Sequence, residues 1–303
     1  MRPARFRAPK MIRLPRAAAL CGLLLLAGLC ALPSHAARIG VLSNRYAAEV
    51  ATDFNARVPG HTFTGVDVAA TVPTVGSLLT SFDAILLFED QTFVNAPVIG
   101  DVVATYAKRG RPVILGTFYD QDRSDTAATA DFTPHGWGAL ETIDPNTSDG
   151  TGTPYAPRSL NVAGMAVHPL TAGLTSLTSA KYAGGNQAKS GTVVLANWTQ
   201  TNARGLPDPA IAYRITGWAC VIHVAIAPDY PTVGVAGVDF GGDFHRAWKN
   251  AADFAATGCG GLVGDAAAIP TLSEWALVLL SLLVAGVALV AQRRRPGALA
   301  SGR

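Results

Sequence analysis

The chain is 303 residues long, 49% hydrophobic and 15% charged, which gives room for one or two domains. Its formal net charge of +3 is a property of the ends: residues 1–36 hold six Lys/Arg and no acid, and residues 269–303 hold four Arg and one Glu. That leaves 14 basic and 20 acidic residues, a net of −6, in residues 37–268, a mildly acidic body without the basic stripe that nucleic acid requires.

Residues 1–36 read as a secretory signal peptide. The basic region ends at Arg16, an apolar run from Ala17 to Leu32 follows, and Ser34-His35-Ala36 puts small residues at −3 and −1, so cleavage is expected after Ala36. Export then needs the secretion translocon and signal peptidase as partners. Met11 offers an alternative start, and Leu29 before Cys30 is not the small residue that a lipid-anchor site wants. Cleavage leaves two cysteines, Cys220 and Cys259. Pairing between them is chemically allowed in an oxidising compartment, although an even count does not prove it.

The exported part, residues 37–257, begins with a short apolar run at 38–43 that reads as a buried strand. Residues 45–57 follow with helical spacing of Tyr46, Val50 and Phe54, then a strand over 62–69 and a short helix over 76–81. Phe82 to Phe88 is the strongest strand pattern in the chain and runs into Glu89 and Asp90. A helix over 97–109 is expected to bury Val98, Val102 and Tyr106 and to stop at Gly110, before a strand at 112–116. Continuous apolar strands alternating with helices predict an α/β fold, with a doubly wound, mostly parallel sheet covered on both faces.

From Gln121 to Ala180 the pattern weakens into Asp, Thr, Ser, Gly and Pro, with a candidate strand over 137–143 and otherwise long loop or insertion. Regularity returns with strands at 192–196, 210–215 and 218–225, the last two joined by Thr216-Gly217 as a hairpin. Residues 243–256 form a helix with Asp243 as its expected cap, and 258–268 read as a Gly/Ala-rich linker.

This order resembles the class I glutamine amidotransferase-like fold, a flavodoxin-like group. The resemblance is carried by FDAILLFED, the helix after it and PVILG, by the turn His168-Pro169-Leu170-Thr171-Ala172-Gly173-Leu174, and by the closing helix with Asn250-Ala251-Ala252-Asp253-Phe254. Active members of that group place a Cys on the turn after the strand that PVILG matches. Here that turn is Gly116-Thr117-Phe118-Tyr119-Asp120, so the resemblance implies the fold without the thiolate chemistry.

In a doubly wound sheet, ligands sit beyond the carboxyl ends of the strands. The candidate pocket is therefore Ser43, Glu89, Asp90 and Asp120, with His168 as a candidate partner. A Ser–His–Asp arrangement would make this an envelope hydrolase acting on carbohydrate or ester, with His168, His223 or His245 as base. The plainer readings are that His168 organises its own turn, that His223 is a satisfied sheet residue, and that His245 packs beside Trp248. No zinc motif is present. Asp120, Asp122 and Ser124, and again Asp144, Asn146, Ser148 and Asp149, place oxygens at alternating positions as a calcium loop does. Both lack the sharp-turn glycine combined with the distant bidentate Glu; calcium is the candidate cofactor these loops offer.

The C-terminus has a distinct layout. Ile269-Pro270-Thr271-Leu272-Ser273-Glu274-Trp275 is followed by an uncharged apolar run over 276–291, then by Arg293, Arg294 and Arg295 and a short tail, 296–303. Sixteen helical residues reach about 24 Å, and Trp275, Gln292 and the arginines extend the run to the interfaces of a bilayer. The run is expected to be a transmembrane helix with the arginines cytoplasmic. This tail resembles the IPTL-CTERM sorting signals, similar in layout to the PEP-CTERM signals read by exosortases. That family usually has Gly after the Trp, where this chain has Ala276. The resemblance implies an envelope or cell-surface protein of a Gram-negative bacterium, an exosortase-like processing enzyme as partner, and extracellular polysaccharide as a candidate context. The expectation for the exported domain is a binding or structural role without catalysis.

Overall fold

The structure, a computed structural model, describes residues 36–90, 95–117, 136–148, 155–182, 185–202, 204–233 and 240–261, together with Ser281, Leu282 and Val284. The chain divides into two compact units, Met1–Ala36 and Ala37–Arg303, and the elements of the fold belong to the second. The motif Ile269–Trp275 and Arg293–Arg295 lie outside the described residues, as does all of the run 276–291 except those three helical positions. No helix of the described residues is long and apolar enough to cross a membrane.

The elements are β1 (Arg38–Ser43), α1 (Ala47–Arg57), β2 (Thr62–Asp67), α2 (Val75–Ser81), β3 (Ala84–Leu87), α3 (Ala96–Lys108) and β4 (Val113–Gly116). Then come β5 (Asn146–Ser148), β6 (Tyr155–Ser159), β7 (Leu177–Tyr182), β8 (Asn186–Ala188), β9 (Thr192–Thr201), β10 (Pro207–Thr216) and β11 (Ala219–Val224). The short α4 (Tyr230–Val233), β12 (Gly241–Gly242) and α5 (Phe244–Ala256) follow. Seven strands form the main sheet in the order β2-β1-β3-β4-β11-β10-β9. The first five are mutually parallel, and β10 and β9 add antiparallel at the far side. Counted along the chain, the parallel strands stand 2-1-3-4-5, one of the two common orders of a doubly wound sheet.

Alternation along each strand explains why both faces are covered. Ile39, Val41, Ala84, Leu86, Ile114 and Ile222 point to one core, where Val50 and Phe54 of α1 and Ala247, Trp248 and Ala251 of α5 meet them. Leu42, Ile85, Leu87, Val113, Leu115 and Val221 point to the other, beneath Leu78 of α2 and Ile99, Val103 and Tyr106 of α3. Phe54 anchors the first core, with ring centroids 5.3 Å from Phe63 and 5.6 Å from Trp248. Gly65 lets β2 lie against α1, since a Cβ there would come within 2.6 Å of the Ala48 backbone.

Four local expectations are corrected. The α3 face is turned by one position: Ile99, Val103 and Tyr106 are buried, whereas Val98 is 51% exposed. Both Val98/Val102 and Ile99/Val103 have the spacing of a helical face, and only packing against the sheet separates them. Residues 137–143 are not a strand but a 3₁₀ turn over Gly138–Thr142. Gly138 has a left-handed φ of 51°, and the Asp101 carboxylate accepts the Ala139 amide at 2.7 Å, which together curl the segment onto α3. Asp243 makes no side-chain cap on α5. Its carboxylate accepts instead from the Thr175 amide at 2.7 Å, the Thr175 hydroxyl at 2.9 Å and the Ser176 amide at 3.1 Å. The Thr175 amide, followed by those other donors, holds its pKa below the ordinary carboxylate value. The region expected as loop between 121 and 180 contains β5, β6 and β7, where β7 pairs with β6 on one edge and with β12 on the other.

Cys220 of β11 and Cys259, just beyond α5, form a disulfide with Cα atoms 6.6 Å apart, and both residues are fully buried. Cys259, within the segment expected as linker, is thus tied to β11. The bond closes a loop spanning 39 positions, worth about 2–4 kcal/mol as a constraint on the unfolded chain. Replacing both cysteines by serine is expected to lower unfolding free energy by about that amount. Denaturant titration against wild type, with and without reductant, checks it, and reductant should shift wild type alone.

Candidate functional site

The carboxyl ends of β1, β3, β4 and β11 lie side by side, because these strands are parallel neighbours in the sheet. The chain reverses direction across the sheet between β1 and β3, and there the loops after the two strands are tied together. The Asp90 amide donates to Asn44 Oδ1 at 3.2 Å, and the Arg45 guanidinium lies 3.5 Å from the Asp90 carboxylate. Ser43, fully buried at the end of β1, donates to Asn44 Oδ1 at 3.4 Å and accepts the Arg45 amide at 3.3 Å. The turn is completed by Tyr46 at a left-handed φ of 60°, a conformation that costs a non-glycine residue roughly 1–2 kcal/mol. The Arg45 guanidinium sits 4.4 Å above the Tyr46 ring.

Beside this pair, Thr117 follows β4 and donates its amide to the Ile226 carbonyl at 2.9 Å, joining the ends of β4 and β11. Gly116 permits the close approach: a Cβ there would lie 3.0 Å from Pro228 and 3.2 Å from both Phe88 and Trp248. Thr117 is fully buried and its hydroxyl has no hydrogen-bond partner among the described residues. Asp229 continues the same rim after β11 and is only 1% exposed.

Asp229 is the chemically unusual residue of the rim. Burial first, and then the nearby charge of Asp90, push its pKa up to about 7, with Arg45 acting weakly the other way. Asp90 is close enough to act on it by charge and side-chain hydrogen bonding, yet neither Asp229 oxygen has a partner in good geometry. The two carboxyls are therefore unequal: Asp90 is partly exposed and paired with Arg45, while Asp229 is enclosed and titrates near neutrality. Such a group can hold or release a proton at physiological pH, which an ordinary carboxyl cannot.

Of the residues expected at a pocket, the structure brings together Ser43, Glu89 and Asp90; Glu89 is fully buried beside Asp90. His168 is elsewhere. It stacks on Tyr213 at 5.3 Å and meets Phe254 edge-on at 4.9 Å, near the end of α5 whose Asp253 binds His61 at 2.9 Å, just before β2 begins. That is the opposite end of the sheet from the rim. His168 Nδ1 accepts the Leu170 amide at 3.2 Å and caps its own turn, and burial lowers its pKa. The other candidate bases are also engaged away from Ser43: His223 with Asn146 at 2.6 Å and His245 with Asp53 at 2.8 Å. Asp120, Asp122 and Ser124 lie outside the described residues. In the second candidate calcium loop, Asp144 pairs with Lys189, and Asn146 and Ser148 belong to β5 rather than to a turning loop. Among the described residues no group of three or more His, Cys, Asp or Glu is placed to hold a metal ion.

Sequence reasoning did not single out Asp229. The signal was available: the apolar run Ala219 to Ala227 ends at Pro228-Asp229, as Ala84 to Phe88 ends at Glu89-Asp90. It was hidden because β11 reads as the second strand of a hairpin, whereas its other edge pairs in parallel with β4.

Comparison with known proteins finds the family described as the IPTL-CTERM motif at residues 267–295. The tail carries the IPTL-CTERM motif. It suggests an exported protein of the cell envelope and implies a processing partner of exosortase type. No curated protein matches the chain. Among solved structures, a cold-adapted β-galactosidase from Rahnella sp. R3 is similar at 12% identity with a TM-score of 0.44, over 70% of this chain and 30% of that one. A ThuA-like protein from Bacteroides uniformis is similar at 12% identity with a TM-score of 0.41, over 71% and 89%. Agd3, a carbohydrate deacetylase, is similar at 11% identity with a TM-score of 0.37, over 75% and 33%. The chain thus spans about a third of the length of the first and third of these.

The raised pKa of Asp229 has a stability consequence. The folded state holds this proton more tightly than the unfolded chain, whose carboxyl titrates near 3.8. The contribution is complete below about pH 4, is lost as pH rises to about 7, and stays lost above. Asp229→Asn, which cannot ionise, is expected to exceed wild type in stability at pH 8 by roughly 2–4 kcal/mol and to match it near pH 4. Denaturant midpoints at the two pH values check this; a constant difference between the proteins would contradict it.

Proposed function

We propose that this chain is an exported protein of a Gram-negative cell envelope. Before processing it is held by one C-terminal span, with Arg293, Arg294 and Arg295 on the cytoplasmic side, and an exosortase-like enzyme reads Ile269 to Trp275. The match of residues 267–295 to the IPTL-CTERM motif carries this reading. The signal-like segment at residues 1–36 and the basic stop after the apolar run support it.

The exported domain is, in this reading, a flavodoxin-like module with a binding or structural role. The 2-1-3-4-5 strand order supports the flavodoxin-like assignment. The turn after β4, Gly116-Thr117-Phe118-Tyr119-Asp120, contains no cysteine, which supports a role without amidotransferase chemistry. The rim of Ser43, Arg45, Asp90, Thr117 and Asp229 is the binding site.

A second reading, an envelope hydrolase of carbohydrate or ester, is favoured by one observation, the Asp229 carboxyl poised near neutral pH for general acid–base work. Against it, Ser43 is hydrogen-bonded to Asn44 and each described histidine is engaged elsewhere. Turnover of a p-nitrophenyl ester or glycoside that disappears in both Asp229→Asn and Ser43→Ala would favour the hydrolase.

Replacing Pro270 and Trp275 together by alanine in the native host is expected to block tail processing and to retain the protein in the membrane fraction. Cell fractionation with mass measurement of the product checks it. Unchanged processing and unchanged location would overturn the sorting assignment.

A further inference from the structure

We propose that the rim at the carboxyl ends of β1, β3, β4 and β11 binds a neutral polyhydroxylated small molecule, a sugar or polyol, through Thr117, Asp229 and Asp90. This rests on reading the rim as a binding site and adds the chemistry of what enters it.

The first ground is unmet hydrogen bonding. The Thr117 hydroxyl is buried with no partner among the described residues, and the buried Asp229 carboxyl oxygens have Asp90 nearby but no hydrogen bond of good geometry. Native proteins pair nearly all such atoms, with protein, water or ligand. These two lie on adjacent strand ends, joined by the amide of Thr117 and the carbonyl of Ile226. Their position is where doubly wound sheets take ligands.

The second ground is the kind of partner they need. A threonine hydroxyl both donates and accepts, a protonated carboxyl donates once and accepts, and an ionised carboxylate only accepts. A ligand that meets all three must offer donors and acceptors close together, as neighbouring hydroxyl groups do. Charge excludes the simpler alternatives. An anion would face Asp90 and Asp229. A cation would find Asp90 already paired with Arg45 at 3.5 Å, would be repelled by that guanidinium, and would have to ionise Asp229 against its burial.

The charged groups around Asp229 set the pH behaviour. Asp90 acts on it from the loop after β3 and Arg45 from the turn after β1. Glu89 precedes Asp90, Tyr230 follows Asp229 in α4, and α1, which packs on α4, brings Glu49 and Asp53. Asp53 is engaged by His245 and Arg57. Ionising Asp229 removes the one donor of the carboxyl pair and sets a second negative charge beside Asp90, so a neutral ligand is lost as pH rises through about 7.

The test is titration calorimetry of the purified full chain with glucose, galactose and sorbitol at pH 6 and pH 8, and with putrescine as the cationic control. The expected result is binding of at least one of the three neutral probes at pH 6 and about tenfold weaker binding at pH 8. Glucose or galactose without sorbitol would assign a sugar ring, and sorbitol alone an open-chain polyol. Thr117→Val should weaken binding roughly fivefold or more, while Thr117→Ser, which keeps the hydroxyl, binds as wild type. Asp229→Asn keeps a donor and should bind equally at both pH values. If Thr117→Val does not fold, the Asp229→Asn profile decides, and a persisting tenfold fall overturns the proposal. Silence from all three neutral probes, or binding of putrescine that tightens from pH 6 to pH 8, overturns it too. These outcomes leave the Pro270 and Trp275 experiment untouched, so a failure of the ligand chemistry is distinguishable from a failure of the sorting assignment.

Discussion

The central strands of this sheet have no solvent face. All four side chains of β3 and all four positions of β4 are buried, with α1 and α5 on one side and α2 and α3 on the other. An ionised or hydrogen-bonding group cannot be placed within such strands without a partner. Polar chemistry is therefore pushed to the strand ends, and parallel pairing gathers the ends of β1, β3, β4 and β11 along one edge. The rim of Ser43, Arg45, Asp90, Thr117 and Asp229 follows from that constraint.

The same constraint makes two aspartates behave differently. Asp90 reaches partly into solvent and has the Arg45 guanidinium, so its charge is supported. Asp229 is enclosed at the end of β11 and meets the charge of Asp90 instead. Burial and that charge raise the Asp229 pKa to about 7, which makes it a proton carrier beside an ion-paired Asp90. The disulfide works at a different place: it ties Cys259, beyond α5, to Cys220 in β11, so the helix that covers Gly116 and Phe88 is bound covalently to the strand beside them.

Much of the architecture is legible in the sequence alone. The runs at Ala84–Leu87 and Val113–Gly116 are uninterrupted apolar strands, and helices between them force parallel pairing. Ser43, Glu89 and Asp90 could be named as rim residues because they stand at the ends of such runs. The errors share one cause. The choice between Val98 and Ile99 as the buried face of α3, the curl of Gly138–Thr142 against Asp101, and the diversion of Asp243 from its helix to Thr175 all depend on groups remote in sequence. His168 failed as a rim residue for the same reason: its partners Tyr213 and Phe254 come from β10 and α5, at the other end of the sheet.

The sequence by itself determined the sorting motif and the class of fold. A sorting motif, an apolar run and an arginine stop are contiguous, and strand runs are local patterns, so neither needs tertiary contacts to be recognised. Only the tertiary structure decided the chemistry of the rim. Asp229 is an ordinary aspartate until β11, the partner of a hairpin on one edge, pairs in parallel with β4 on the other and carries it in beside Asp90. Its proton affinity is set by the water it loses and the charge it meets, and that charge comes from Asp90 and Arg45, more than a hundred positions away.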